Sequence, residues 1–252
     1  MLSKNKIKHI LSLSRRKERE ETLLFVAEGN KIATDLLPLF RCRTLIVTEE
    51  FGKTLLSCQA EEVIIATKEE IKKASQLNTP QSALAVFYQP EYTLDMASLK
   101  NKFSFMLDTI QDPGNLGTII RIADWFGVED IICSSETVDA YNPKTIQATM
   151  GAIGRVHVHY DDLCDFIDKI PDVPLFGTFL EGENIYEATL PANGILLMGN
   201  EGKGISPQLE SRVTHKLFIP SFPADRKTSE SLNVAVATAI ACSEFRRRMI
   251  RV

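Results

Sequence analysis

Three short polar segments of this sequence carry the residue types most able to do chemistry, and each follows an apolar run that reads as a strand. The first runs Leu107-Asp-Thr-Ile-Gln-Asp112-Pro-Gly-Asn115-Leu-Gly117 and continues to Arg121. Asp112-Pro113-Gly114 makes a turn and Asn115 stands where a helix N-cap is expected. Leu116, Ile119, Ile120 and Ala123 recur at helical spacing and face the sheet, which leaves Gly117, Arg121 and Asp124 on another stripe. An arginine there either pairs with Asp124 one turn on or, beside Gly117, takes an anion.

The second segment is Gly199-Asn200-Glu201-Gly202-Lys203-Gly204. It is no P-loop, because residue 197 is Leu and residue 204 is Gly, and Pro207 stands where a dinucleotide fingerprint needs its third glycine. Its reading is a backbone cradle or a tight turn: glycines let main-chain groups approach a ligand, and Glu201 disfavours polyphosphate. The third segment is Ser231-Leu232-Asn233, at the start of a Val/Ala/Ile run expected to form a long helix from Ser229 to Arg248. Ser229 or Ser231 is the expected cap, while Asn233, a poor helix former within such a run, calls for a specific partner.

The elements that must position these residues follow from the apolar pattern. Short β-branched runs alternate with helical stretches, which predicts α/β architecture. Residues 1–97 read as a small α/β domain: a basic helix over about 3–20, then strands at Leu23–Ala27, Thr44–Thr48, Val63–Ala66 and Ala83–Tyr88. Gln89-Pro90-Glu91-Tyr92-Thr93 has linker character, and residues 98–252 form the second domain. Its strands are expected at Phe103–Leu107, Ile131–Cys133, Val156–Tyr160, Leu175–Phe179, Ile195–Met198 and Lys216–Ile219. In open parallel sheets ligands bind beyond the carboxyl ends of strands, where all three polar segments lie.

Charge and composition narrow the class. Among 252 residues, 29 Lys and Arg against 33 Asp and Glu give a net charge of −4, which excludes a protein that coats nucleic acid by bulk charge. Local charge differs: Lys4, Lys6, Lys8, Arg15, Arg16, Lys17 and Arg19 crowd the start, and Arg246, Arg247, Arg248 and Arg251 the end, so both can face phosphates. Cys42, Cys58, Cys133, Cys164 and Cys242 are scattered and never form a CxxC pair, which points away from disulfides and zinc fingers. No run suits a membrane span or secretory signal, and a cytoplasmic protein is expected. His157 and His159 share one strand face while His9 and His215 stand apart; no metal site is assigned.

Together, Asp112-Pro113-Gly114-Asn115-Leu116-Gly117 with Arg121, Gly199-Asn200-Glu201-Gly202-Lys203-Gly204, and Ser231-Leu232-Asn233-Val234-Ala235-Val236-Ala237 resemble the three ordered motifs of the SpoU (TrmH-like) branch of the SPOUT RNA methyltransferases. Ala148–Ala152 and Phe25–Gly29 echo the family more weakly. Ala224-Asp225-Arg226-Lys227-Thr228 lengthens the interval from Ile219 to Ser231 beyond the family's usual one.

The resemblance implies a C-terminal parallel sheet with a deep trefoil knot and a smaller N-terminal α/β domain that binds RNA. It implies S-adenosylmethionine as cofactor, held by backbone at Gly199, Ile219 and Leu232, and a homodimer. It also implies 2′-O-ribose methylation of structured RNA, ribosomal RNA favoured over tRNA, with Asn115, Arg121, Glu201, Ser231 and Asn233 as the catalytic set and no metal. A nonenzymatic RNA-binding protein on the same fold is the competing reading.

Overall fold

The computed structural model describes residues 2–55, 59–223 and 231–249, and the chain divides into two compact units. The first comprises Met1–Glu91 together with Asp139–Arg155. In it, α1 (Lys4–Ser12), α2 (Arg16–Thr22), β1 (Leu24–Glu28), α3 (Asn30–Leu36), β2 (Cys42–Val47), α4 (Glu49–Gly52), β3 (Ala60–Ile65), α5 (Lys68–Ala74) and β4 (Ala83–Tyr88) follow in chain order. The sheet runs β1-β4-β2-β3, with β4 antiparallel to both neighbours and β2 parallel to β3. Ile10, Leu13, Leu24, Ile46, Ile71 and Leu84 fill one core.

The single basic helix expected over about 3–20 is two helices. Ser12 and Ser14 turn their hydroxyls back onto the carbonyls of His9 and Leu11, competing with helical bonding. Arg19, almost fully buried, donates to the carbonyls of Leu13 and Ser14 and pairs with Asp139 at 2.6 Å. Its guanidinium satisfies the carbonyls that the broken helix frees.

The second unit comprises Tyr92–Val138 and Val156–Val252. Along this part of the chain come β5 (Phe103–Leu107), α6 (Pro113–Trp125), β6 (Asp130–Cys133), α7 (Pro143–Thr149, in the first unit), β7 (His157–Tyr160), α8 (Leu163–Asp168), β8 (Leu175–Asn184), β9 (Gly194–Met198), α9 (Pro207–Glu210), β10 (His215–Phe218) and α10 (Val234–Arg247). The sheet order β10-β8-β9-β5-β6-β7 is parallel at every pairing. Strands β5 and β9 are buried along their whole length, as central strands of a two-sided parallel sheet require. Phe245 of α10 packs on Phe103 at 4.5 Å and Phe176 at 5.0 Å, and α10 lies against α6.

The division differs from the 97/98 boundary in two ways. Residues from Tyr92 belong to the second unit, because Tyr92 lies on the His157 ring at 4.1 Å and Leu94 and Met96 pack against the core around Leu99, Met106 and Leu197. Residues 139–155 belong to the first, because α7 packs on β1, Tyr141 meets Phe25 at 4.9 Å, and Asp139 holds Arg19. The lengthened loop Ala224–Thr228 and the expected helix start at Ser229 lie outside the described residues.

Among the described residues, no helix is long and apolar enough to cross a membrane. Cys42, Cys133, Cys164 and Cys242 are free thiols. Burial pushes the Cys133 thiol far up and that of Cys242 to about 12, so neither is a thiolate near neutrality.

Candidate active site

Beyond Leu107 the chain turns through Asp108 and Thr109, and this turn is fastened to the loop after β9. Asp108 is 5% exposed, and its carboxylate accepts the Ser206 N–H at 2.7 Å and the Thr109 hydroxyl at 3.0 Å. Thr109 takes a left-handed conformation, φ 58°, which is strained for a β-branched residue. Three bonds hold it: its N–H donates to Ser134 Oγ at 2.9 Å, its hydroxyl to Asp108, and its carbonyl accepts from Asn200 Nδ2 at 2.8 Å.

The glycine loop is closed on itself. Asn200 and Gly204 exchange two backbone bonds of 2.9 Å, and Asn200 Oδ1 accepts the N–H groups of Gly202 and Lys203 at 3.0 Å each. A Cβ on Gly199 would lie 2.2 Å from backbone atoms of Gly204 and Ile205, so only glycine fits there. The loop projects Glu201 toward the start of α6. Its carboxylate lies 3.4 and 3.5 Å from the backbone nitrogens of Asp112 and Gln111, at a helix N-terminus whose dipole favours an anion.

Asp112 caps α6, accepting the Asn115 N–H at 2.8 Å, where Asn115 was the expected cap. Pro113 explains the difference: its fixed φ and missing donor suit the first helical position, which places the cap one residue earlier. The Asn115 side chain is thereby free for other work. Its Nδ2 donates to Glu201 Oε1 at 2.9 Å, and its Oδ1 accepts from Asn233 Nδ2 at 2.9 Å.

Asn233 caps α10 in place of Ser229 or Ser231, its Oδ1 accepting the N–H groups of Ala235 and Val236 at 3.0 and 3.3 Å. Both amide orientations follow from chemistry. A carboxylate only accepts, so Asn115 must offer it N–H; backbone N–H groups only donate, so Asn233 must offer them its oxygen. Asn115, Glu201 and Asn233 therefore form one directed hydrogen-bond chain across the ends of β5 and β9 and the start of α10.

The remaining expected site residues stand outside that chain. Arg121 is exposed, six residues or about 9 Å of helix rise beyond Asn115, and makes no hydrogen bond or ion pair with any described residue. The Asp124 pairing considered from sequence does not form. Ser231 is exposed, and Ile219 is partly buried just past β10. Leu232 is 48% exposed beside the α10 cap. Asp108, Thr109 and Asn200 were not singled out from sequence. Asp112 was read only as a turn residue, although an aspartate immediately before a proline at a helix start is itself a cap signal.

A parallel α/β sheet whose polar site joins the end of β5, a glycine loop after β9 and an asparagine-capped last helix is the arrangement expected from the resemblance to SPOUT methyltransferases. The profile of the SpoU rRNA methylase family matches residues 102–243, and that of the MRM3-like substrate-binding domain matches residues 4–85. The chain belongs to the SpoU rRNA methylase family. It is 30% identical over 248 residues to the 23S rRNA (guanosine(2553)-2′-O)-methyltransferase RlmP of Bacillus subtilis, with 96% of each chain covered.

Among solved structures, a TrmH-family protein from Porphyromonas gingivalis superposes with a TM-score of 0.87 at 39% identity, covering 98% of this chain and 99% of the other. An AdoMet-bound rRNA methyltransferase from Sinorhizobium meliloti gives 0.85 at 30% identity, covering 100% and 97%. The chain is an S-adenosylmethionine-dependent RNA 2′-O-methyltransferase.

The residues present fit the cofactor. The loop from Gly199 brings main chain close enough together for backbone contacts to a ligand, and Glu201 supplies a negative charge suited to a sulfonium.

Proposed function

We propose that this enzyme methylates a ribose 2′-hydroxyl of ribosomal RNA in the cytoplasm, with its first unit supplying RNA affinity and its second the chemistry. The observation that carries the site assignment is the Asn115–Glu201–Asn233 chain beside the closed glycine loop. Bound S-adenosylmethionine supplies an electrophilic methyl group. The reaction then needs a weakly nucleophilic hydroxyl held in line and eased of its proton. Arg121, exposed and without a hydrogen-bond or ion-pair partner among the described residues, binds the phosphate flanking the target ribose and stabilises the charge developing on the 2′-oxygen. Asn115, Glu201, Ser231 and Asn233 orient the ribose and line the site. Gly199, Ile219 and Leu232 hold the cofactor through backbone contacts.

Three further parts belong to this reading. The deep knot expected in residues 98–252 agrees with the bonds that tie the loop after β9 to Asp108 and Thr109. A homodimer agrees with Leu232 and Val236, each 48% exposed at the start of α10. The cytoplasmic location agrees with the four free thiols among the described residues. The choice of ribosomal RNA is supported by the relatives' names. Mapping 2′-O-methyl groups in RNA from a strain lacking the gene is expected to show one ribosomal site lost; an unchanged ribosomal map with a lost tRNA site overturns that choice.

Two predictions arise here. RNA affinity is expected to fall steeply with salt, because Lys4, Lys8, Lys17 and their neighbours release counterions; each neutralised phosphate adds about −0.7 to −0.9 to the log–log slope. A flat salt response in filter binding would reject electrostatic docking.

The second separates two duties of Asn233. Asn233→Asp keeps the α10 cap, since Asp caps as well as Asn, but it sets an acceptor against Asn115 Oδ1 in place of the donating amide; it is expected to melt above Asn233→Ala and to slow methyl transfer. Asn233→Ala loses both and is expected to be less stable by about 1 kcal/mol. If the aspartate variant turns over normally, the amide link has no part in positioning.

A further inference from the structure

The histidine pair noted in the sequence has a third member that only the sheet supplies. Asp130 opens β6, and its partner across the parallel ladder is His157, the first residue of β7. His159 lies two residues on, on the same strand face. Asp130 Oδ1 is 3.0 Å from His159 Nε2 and 3.4 Å from His157 Nδ1, and the three donor atoms all lie within 4.8 Å of one another. We propose that Asp130, His157 and His159 form a binding site for a zinc-class divalent cation. It stands at the amino ends of β6 and β7, at the opposite end of the sheet from Asn115, Glu201 and Asn233.

Four observations carry the proposal. Two imidazoles and one carboxylate are the donor set of a borderline ion, and zinc bonds of 2.0–2.1 Å in a tetrahedron place ligand atoms about 3.4 Å apart. The 3.0 and 3.4 Å separations from Asp130 Oδ1 need change by only a few tenths of an ångström, and the two ring nitrogens, which lie within 4.8 Å of each other, draw together as the half-exposed His157 ring turns toward the ion. Secondly, a hydrogen bond explains only half of the cluster. His159 is hydrogen-bonded to Asp130, whereas His157 is aimed at the same oxygen without forming a bond. An ion between them uses both rings.

Thirdly, the ligands are held from outside. Asp130 is buried, Tyr92 lies against the His157 ring at 4.1 Å, and Lys102 stands 3.9 Å from Asp130 Oδ2, itself anchored by Glu129 at 2.7 Å. The two carboxylate oxygens thus divide their tasks: Oδ2 faces a fixed positive charge and Oδ1 faces both imidazoles. Such outer partners orient metal ligands. Fourthly, the His157 side chain is 43% exposed, which leaves a route of entry and a fourth position for water. The ion ties the edge strand β7 and the Tyr92 segment to β6, a structural role distinct from methyl transfer.

The test uses the full chain stripped with a chelator and titrated with Co²⁺. The expected result is the intense visible spectrum of tetrahedral cobalt without the near-ultraviolet thiolate band that a cysteine site would give. Added Zn²⁺ should abolish the spectrum and raise the melting temperature. The His157→Gln/His159→Gln double variant is expected to lose both responses. A weak octahedral spectrum, or a response the variant retains, overturns the proposal. Should the variant fail to fold, ring-nitrogen NMR of the native chain decides: Zn²⁺ must shift two of the four histidines, with His9 and His215 unmoved. Shifts at any other pair, or at none, overturn the site.

Discussion

Arg121→Ala is expected to lower single-turnover methyl transfer by about 10²-fold or more while leaving S-adenosylmethionine affinity nearly unchanged, because an interaction made only as charge develops on the ribose oxygen is lost. The structure sharpens the expectation. Arg121 is exposed and makes no hydrogen bond or ion pair with a described residue, so the native melting temperature is expected to be kept, and a fall in rate alongside it is not a loss of fold.

Arg121→Lys should restore little. Lysine keeps the charge but loses the planar fork that holds a phosphate oxygen and a second acceptor together. Rates at saturating RNA, with calorimetry of the cofactor, are the measurement. A mutant with near-normal turnover removes Arg121 from the catalytic set and leaves it a surface arginine.

The elements that position the site were legible because their signals are local. Phe103–Leu107 is an unbroken apolar run flanked by polar residues, and it is a strand with those bounds. Leu116, Ile119, Ile120 and Ala123 are all buried, so the face assigned to α6 packs, while Gly117, placed on the stripe of Arg121 and Asp124, is buried with them. Asn115, Glu201 and Asn233 were legible as chemistry, and they meet.

What was missed depends on contacts between residues far apart in sequence. The break between α1 and α2 needs Arg19 to reach the carbonyls of Leu13 and Ser14, and Arg19 in turn is fixed by Asp139. That same pairing, with Tyr141 on Phe25, draws residues 139–155 into the first unit, which no local composition announces. Asp108 was not singled out, because its buried role depends on the Ser206 N–H, 98 residues on. The two cap positions erred differently, since Asp112 and Asn233 were in view and the choice turned on Pro113 and on where the last helix begins.

Gly199→Ala is the second substitution with a large expected effect, and the neighbouring glycines make its cause separable. At Gly199 the added Cβ falls 2.2 Å from the Gly204 carbonyl carbon and the Ile205 nitrogen, which are backbone atoms and cannot swing aside as a side chain would. The loop must open. Overpacking of this kind costs about 1–3 kcal/mol, and opening also parts the paired backbone of Asn200 and Gly204, so cofactor binding should be lost with it. Gly202→Ala meets nothing nearer than Asn200 Oδ1 at 3.7 Å and has no left-handed φ, so it should bind cofactor and melt as the native chain does. Gly204→Ala has open space but φ +71°, and its cost is conformational alone, about 1 kcal/mol. Denaturant unfolding with and without S-adenosylmethionine ranks the three. If Gly199→Ala binds the cofactor as tightly as Gly202→Ala does, the closed loop is not what shapes the cofactor site, and the assignment of Gly199 to it falls.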